Sequence, residues 1–544
     1  MKSPMKEKKA RTATFFGGVL VLTLANILVK LFGFLYKVPL NRVLGDEMAN
    51  VNAAYSVYSL LYMTSTAGIP VAVSVMISEA RSAAKNATVG RLFRISMGSL
   101  CIIGAFGTAA MLFLAAPIAR ANSGGDSYLC ILAIAPALLF VCLSSVFRGY
   151  FQGFGLMLPT AISGMIEAFG KMALGLLFVH LVLTSRAGDA HLAAGFSVLG
   201  ITIGIVCGTL YLAVAYARHR RSGALAVAEN EPCADTAMQV AARLARIAVP
   251  IALSAGIAGI ASLIDAQMMR PLLTEYYSDA ELAKAVFSDY STGAVTLFNM
   301  PAVLVYPIAA AVVPYITAAR ARGDIDGAGR YAAVGLRLAA LISLPAALGM
   351  SVFSRPILAL LFVGDADMAD HAGAPLALLS LAIFLLALLA VTNSVLQSYG
   401  RQGRPLIAML CGVLVKIAVL YLLTPRIGSL AAPLGTLLFY LTAVCINFYY
   451  VFRYAAPTVA WYRAFLVPTL AAFGAVLGAY GVYSVSGAEG IASLLFSIAF
   501  AVVIYAALVL LLGVVSTEDL ALLPRGERVS AFLVRYHLIK TNKV

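Results

Sequence analysis

Apolar residues in this chain run in blocks of about 20 or more, separated by short polar stretches, with no sign of strand-like alternation. At 1.5 Å per residue, one block makes a helix that crosses a ~30 Å hydrocarbon core. The blocks predict helices at 14–36, 50–78, 95–119, 128–148, 159–183, 193–217, 245–268, 291–317, 332–354, 373–398, 405–423, 431–452, 464–485 and 490–513. The first follows a basic start (Lys2, Lys6, Lys8, Lys9, Arg11), outruns a secretory signal and has no small-residue cleavage site after it, so it reads as a retained helix. The expected fold class is an all-α polytopic membrane protein of about fourteen transmembrane helices.

Composition sharpens that picture. Of 544 residues, 62% are hydrophobic and only 12% charged, far from the quarter-charged make-up of soluble domains. The mean hydropathy of +0.93 agrees. The net charge of +15 raises the question of nucleic acid, and its distribution answers it. With the N-terminus inside, 27 of 39 Lys and Arg fall on the cytoplasmic side, eight outside and four within helices. Acidic residues split almost evenly. A bias confined to basic residues is the positive-inside pattern; it predicts a multi-pass protein of the cell membrane with both termini cytoplasmic, and needs no nucleic-acid partner.

A polar cytoplasmic stretch, 218–244, separates six helices (1–217) from six more (245–453), followed by two extra helices (454–513) and a basic tail (514–544). The two halves echo each other. Ser145-Val146, Tyr150, a glycine-rich turn, Pro159 and Lys171 correspond to Ser394-Val395, Tyr399, a glycine-rich turn, Pro405 and Lys416, with offsets of 249 at the tyrosines and 245 at the lysines. Six helices between equivalent points make this a parallel repeat, an arrangement in which transporters place their site between the halves.

Ionisable residues inside spanning helices are costly and normally face a cavity or a partner. Lys30 lies two-thirds along helix 1, near Asn26. Glu167 and Lys171 sit one turn apart on helix 5, where they can pair with each other or line a cavity. Asp265 lies late in helix 7, with Arg270 beyond it; Lys416 is mid-helix 11; Arg337 can snorkel from the start of helix 9. Four embedded cations against two anions favour an anionic ligand, and phosphates suit Lys and Arg donors. Lys30 and Lys416 have no acidic residue within a turn, so they are expected to contribute to a cationic substrate site. Pairing with Asp265 or Glu167 across the interior is the competing structural account.

Other chemistry finds little support. The seven cysteines lie mostly within apolar blocks, without metal spacing or a disulfide framework, and read as packing residues. Asp365, Asp367 and Asp370 read as a solvated outer loop. No His-Glu-x-x-His, Walker A or Gly-x-Ser-x-Gly pattern occurs, so neither an ATP engine nor an enzyme is expected, and no cofactor beyond a coupling ion of open identity.

Two stretches carry a resemblance. Phe34 to Leu40, Arg42, Leu44 to Glu47, Thr64 to Ala72 and Ser74 form one; Gly149 to Gly153, Met157, Pro159 to Ala161, Ser163 and Glu167 form the other. Fainter echoes are Leu263 to Asp265, Ala311 to Pro314 and Arg355 to Ile357. As a set they resemble Gram-positive polysaccharide-export proteins of the stage V sporulation protein B type, within the multidrug/oligosaccharidyl-lipid/polysaccharide exporter (MOP) superfamily. That resemblance implies two six-helix lobes in a V, a groove for a polyprenyl tail on the last two helices, and a monomer surrounded by membrane lipids. It implies as substrate an undecaprenyl-pyrophosphate-linked sugar, such as a peptidoglycan precursor, flipped by alternating access. Lipid II flippases of the superfamily carry an Arg, a Leu-Gly-Phe step and Arg-Asp in the first helix; here Lys30, Phe32-Gly33-Phe34 and Tyr36-Lys37 stand instead. Export of other polysaccharide precursors or of drugs, an undecaprenyl-dependent glycosyltransferase and a purely structural sporulation protein are the alternatives.

Overall fold

The computed structural model describes residues 21–33, 35–37, 39–40, 43–44, 47–82, 86–123, 127–185, 189–221, 236–362, 366–457, 460–485 and 490–513. They are almost wholly helical, with no strand among them. Helix α1 covers 21–33; then come α2 (Met48–Ser82), α3 (Asn86–Phe113), α4 (Ala115–Ser123), α5 (Tyr128–Ile134), α6 (Ala137–Gly153), α7 (Leu158–Ser185) and α8 (Ala190–Arg221). The second half runs α9 (Ala237–Tyr277), α10 (Ala280–Asp289), α11 (Val295–Phe298), α12 (Ala302–Ala321), α13 (Ile325–Val352), α14 (Ser354–Leu361), α15 (Ala366–Ser398), α16 (Gly403–Ile427) and α17 (Ala431–Ala455). Helices α18 (Val467–Val485) and α19 (Ile491–Leu511) close the described chain.

Among the described residues, eleven helical stretches are long and apolar enough to span a membrane. They coincide with predicted helices three to fourteen, the eleventh and twelfth sharing the stretch Gly403–Ala455. The first two predictions correspond to α1, whose predicted start lies outside the described residues, and to α2. Large apolar side chains such as Phe106, Phe113 and Val485 point outward, as a lipid-facing surface requires and a water-facing one forbids.

Several predicted helices divide or lengthen. The block 291–317 breaks at Asn299–Pro301, between α11 and α12, with a π-helical turn (Tyr290–Ala294) ahead of it. Pro301 has no N–H and disfavours helix at the residue before it. The Asn299 side chain, where α11 ends, donates back to the Val295 carbonyl at 2.8 Å. The block 128–148 parts into α5 and α6 just ahead of Pro136. Helix α9 grows to 41 residues, ~60 Å at helical rise, so it must extend beyond the hydrocarbon.

The helices gather into two compact units, Gly18–Gly256 with Val313–Gly323, and Ile257–Val312 with Asp324–Val544. The division falls within α9 and α12 and not in the polar stretch between α8 and α9. The first unit holds its outer predicted end with Tyr36, Leu40, Tyr58, Met111 and Ile131. Its other end is a core of Met76, Phe93, Val146, Tyr150 and Leu212, to which Ile247 of α9 and Val313 of α12 contribute. In the second unit α18 and α19 pack along α13, through Leu344, Phe353, Ala472, Val476 and Leu494.

The repeat is carried by turn geometry. After α6, Gly155 is left-handed (φ +74°), its N–H bonds the Gln152 carbonyl, and Leu156 N–H reaches back to Phe151. After α15, Gly400 (φ +71°) bonds Gln397 and Arg401 reaches back to Leu396. Gln152/Gln397, Gly155/Gly400 and Lys171/Lys416 all stand 245 positions apart. Phe154 is therefore the counterpart of Tyr399, and the tyrosine correspondence at an offset of 249 is corrected to this register.

Candidate functional site

In the first unit, α6, α7 and α8 bring a buried arginine to a buried carboxylate. Arg148 donates to Glu167, both side chains only 13–14% exposed, and its Nε donates to the Ser163 hydroxyl at 3.3 Å. Tyr62 of α2 hydrogen-bonds the same guanidinium. Glycine makes the room: a Cβ on Gly208 of α8 would sit 2.6 Å from the Glu167 Cγ. Arg148 stands at the end of an apolar block, where it counts as a cytoplasmic charge by sequence; the fold instead buries it. Glu167 is thereby taken, and the one-turn pairing with Lys171 does not form.

Lys171 has a different setting. Its Nζ lies 4.9 Å from the ring centre of Tyr36 and 4.9 Å from that of Tyr55, a cation held between two aromatic faces. Tyr36 is fixed by its hydroxyl, which donates to the Ser197 carbonyl at 3.3 Å. No carboxylate lies within ion-pair distance of Lys171 among the described residues. The charges it does feel are Lys37 and Lys30, both exposed. Asn26, one turn before Lys30 on α1, is half-buried.

Tyr55, Tyr58 and Tyr62 form a ladder on α2, their rings 5.9 and 5.5 Å apart in succession. Tyr58 is 2% exposed and its hydroxyl has no hydrogen-bond partner among the described residues. The ladder spaces Lys171 from Arg148 along the helix. Its i, i+3, i+7 spacing was visible in the sequence as one helical face, but it reads equally as core, and nothing local marks it as a cation platform.

In the second unit the equivalent lysine is neutralised. Lys416 of α16, 2% exposed, donates to Asp265 of α9 at 2.7 Å and to the Thr436 hydroxyl of α17 at 3.0 Å. The second oxygen of Asp265 has no hydrogen-bond partner among the described residues. Gly435 admits the lysine stem, whose Cγ would lie 3.3 Å from an added Cβ. Of the two accounts that sequence leaves open for Lys416, pairing with Asp265 is the one this geometry describes. Arg270 is exposed, its guanidinium 5.5 Å from the Phe287 ring; Arg337 is half-buried on α13. At the membrane ends Asp370 pairs with Arg355 at 3.3 Å, His371 with Asp289 at 2.7 Å and His191 with Glu47 at 3.4 Å.

A bundle of long apolar helices that hides a charge pair in each unit, and in one of them a lysine with no carboxylate beside it among the described residues, has the build of a polytopic membrane protein. Residues 15–319 match the family described as "Polysaccharide biosynthesis protein", and the chain belongs to that family. Residues 285–422 also match the MatE family. The Bacillus subtilis (strain 168) membrane protein YabM is 26% identical over 95% of this chain and 96% of its own. From the same organism, "Lipid II flippase MurJ" is 24% identical over 80% of this chain and 82% of its own, and "Stage V sporulation protein B" 24% over 78% and 80%. An outward-facing structure of a MATE family multidrug resistance transporter of the MOP superfamily superposes with a TM-score of 0.67 at 16% identity, covering 82% of this chain and 98% of that one. The fold is that of the transporters of the MOP superfamily.

Proposed function

We propose that the protein is a flippase that carries an undecaprenyl-pyrophosphate-linked sugar, a peptidoglycan precursor such as lipid II, across the cell membrane by alternating access. One observation carries the reading: Lys171 is held within a spanning helix bundle, between two tyrosine faces and near Lys30 and Lys37, with no described carboxylate to balance it. A cation kept out of water without a partner is expensive, and it persists where an anion uses it. A pyrophosphate supplies two adjacent phosphates for Lys171 and Lys30, with Asn26 beside them as a neutral donor. Phosphate oxygens held by ammonium groups in such surroundings bind more strongly than in water.

The Arg148–Glu167 and Asp265–Lys416 pairs then serve as fixed scaffolding, and Arg270 stands at the outer predicted end of α9. The similarity to a lipid II flippase over four-fifths of both chains supports the peptidoglycan substrate. The MATE-type fold supports a second reading, drug export, but the net positive lining of the first unit repels cationic drugs. The test is complementation of a bacterium depleted of its lipid II flippase, with lipid II accessibility read at the outer surface. Restored growth and accessibility are expected; growth failure with normal membrane levels of the protein would point to another polysaccharide precursor.

A further inference from the structure

No Asp or Glu occurs anywhere between Asp370 and Glu489, a stretch that contains α16, α17, α18 and most of α15. Within it, three arginines meet at one end of the bundle. Arg401, in the turn after α15, lies with its guanidinium carbon 4.7 Å from the Tyr454 ring centre. Arg404, at the start of α16, lies 4.6 Å from the Tyr450 ring centre and donates to the Tyr450 hydroxyl at 3.1 Å. Tyr450 and Tyr454 are one turn apart on α17 and their rings are parallel within 7°, so they form a two-step shelf for the two guanidiniums. Arg453 completes the set on the adjoining face of α17, donating to the Tyr449 hydroxyl at 3.3 Å.

Stacking on a ring occupies the face of a guanidinium and leaves N–H edges free to take phosphate oxygens two at a time. None of the three arginines has a carboxylate partner among the described residues. Two acids, Asp324 and Asp326, stand at the start of α13, where a Cβ on Gly329 would lie 3.4 Å from the Ala455 carbonyl oxygen. Asp324 is spent capping that helix through the Gly327 N–H. The contrast within the same protein is clear, since Arg243 of the first unit is matched by Glu79. The depth is also marked. Trp461, half-exposed, packs on Phe452 and Phe465 beside the shelf, and Tyr449 and Tyr462 are exposed next to it. Exposed Trp and Tyr belong at the headgroup level, and the basic-residue bias assigns this end to the cytoplasmic leaflet.

We infer that Arg401, Arg404 and Arg453, on the Tyr449, Tyr450 and Tyr454 platform, form a binding site for the phosphate headgroup of an anionic phospholipid of the surrounding bilayer. The site is distinct from the substrate site of the first unit and does not rest on that reading. Three arginines at a membrane surface, each adding several-fold attraction for anionic lipid, predict a preference on the order of tenfold to a hundredfold.

Trp461 is the only tryptophan in the chain, and it reports on this end of the molecule directly. The experiment reconstitutes the full chain in phosphatidylcholine vesicles containing small fractions of phosphatidylglycerol or phosphatidylcholine brominated in the acyl chain. Brominated phosphatidylglycerol should quench Trp461 at about a tenth or less of the mole fraction that brominated phosphatidylcholine needs. The preference should fall to near unity in Arg401→Gln/Arg404→Gln/Arg453→Gln and survive, weakened, in the triple Lys variant, which also serves if the Gln variant does not reconstitute. Inorganic phosphate in the millimolar range should leave the preference intact. Equal quenching by both lipids in the wild-type protein would overturn the site, as would full preference in the Gln variant. Displacement of brominated phosphatidylglycerol by a trace of undecaprenyl-pyrophosphate sugar would assign the arginines to the transported lipid and overturn the phospholipid assignment.

Discussion

Lys171 and Lys416 occupy equivalent positions in the repeat, yet among the described residues one has no carboxylate beside it and the other is paired, and mutation should separate them. Removing one member of a buried pair leaves an uncompensated charge, at a cost of about 3–5 kcal/mol. Lys416→Met and Arg148→Met should each lower thermal stability in detergent by that order. The doubles Lys416→Met/Asp265→Leu and Arg148→Met/Glu167→Leu should regain most of it, a coupling that a double-mutant cycle reads as a melting shift. Lys171→Gln should leave the melt nearly unchanged, because it strands no carboxylate. The embedded lysines themselves were legible from sequence, since a charge inside an apolar block is a local signal. Their partners were not. Asp265 and Lys416 are 151 positions apart, and Glu167 takes Arg148, from the helix before its own, over the lysine one turn away.

Helices α7 and α8 meet through glycine. A Cβ on Gly200 would lie 2.4 Å from the Gly175 backbone nitrogen, and one on Gly170 would lie 2.7 Å from the Gly204 Cα. Between helices in lipid, such close approach supplies the packing that the hydrophobic effect does not. It also holds α7 so that Lys171 and Glu167 both face inward. Gly200→Val should therefore abolish the monodisperse peak in detergent size-exclusion chromatography and cut folded yield several-fold. Gly33→Ala, with open space around it, should leave both unchanged. At this scale hydropathy places helices well, because it is additive along a block, whereas their breaks fall at prolines such as Pro136 and Pro301, whose missing N–H hydropathy does not register. The repeat was visible at Lys171 and Lys416. Its register at the turn is set by the equivalent backbone bonds around Gly155 and Gly400, which single out the Gln152/Gln397 and Gly155/Gly400 pairs over the tyrosine pair.

For the whole molecule, the basic-residue bias predicts both termini on the cytoplasmic side. In a cysteine-free background, Asn230→Cys should be protected from an impermeant thiol reagent added outside, and Ala280→Cys should be labelled; the reverse pattern would invert the topology. Charge is also divided unequally between the units: the embedded pair of the second unit cancels, and the first retains the lysines. That asymmetry is the reason for placing the pyrophosphate on the first unit, and the most direct test acts there. Lys171→Gln, expressed in flippase-depleted cells with its membrane level measured, should insert normally and fail to restore outer-surface lipid II. Lys171→Arg, which keeps the charge between Tyr36 and Tyr55, should restore it in part. Wild-type lipid II exposure by the Lys171→Gln protein would contradict the account.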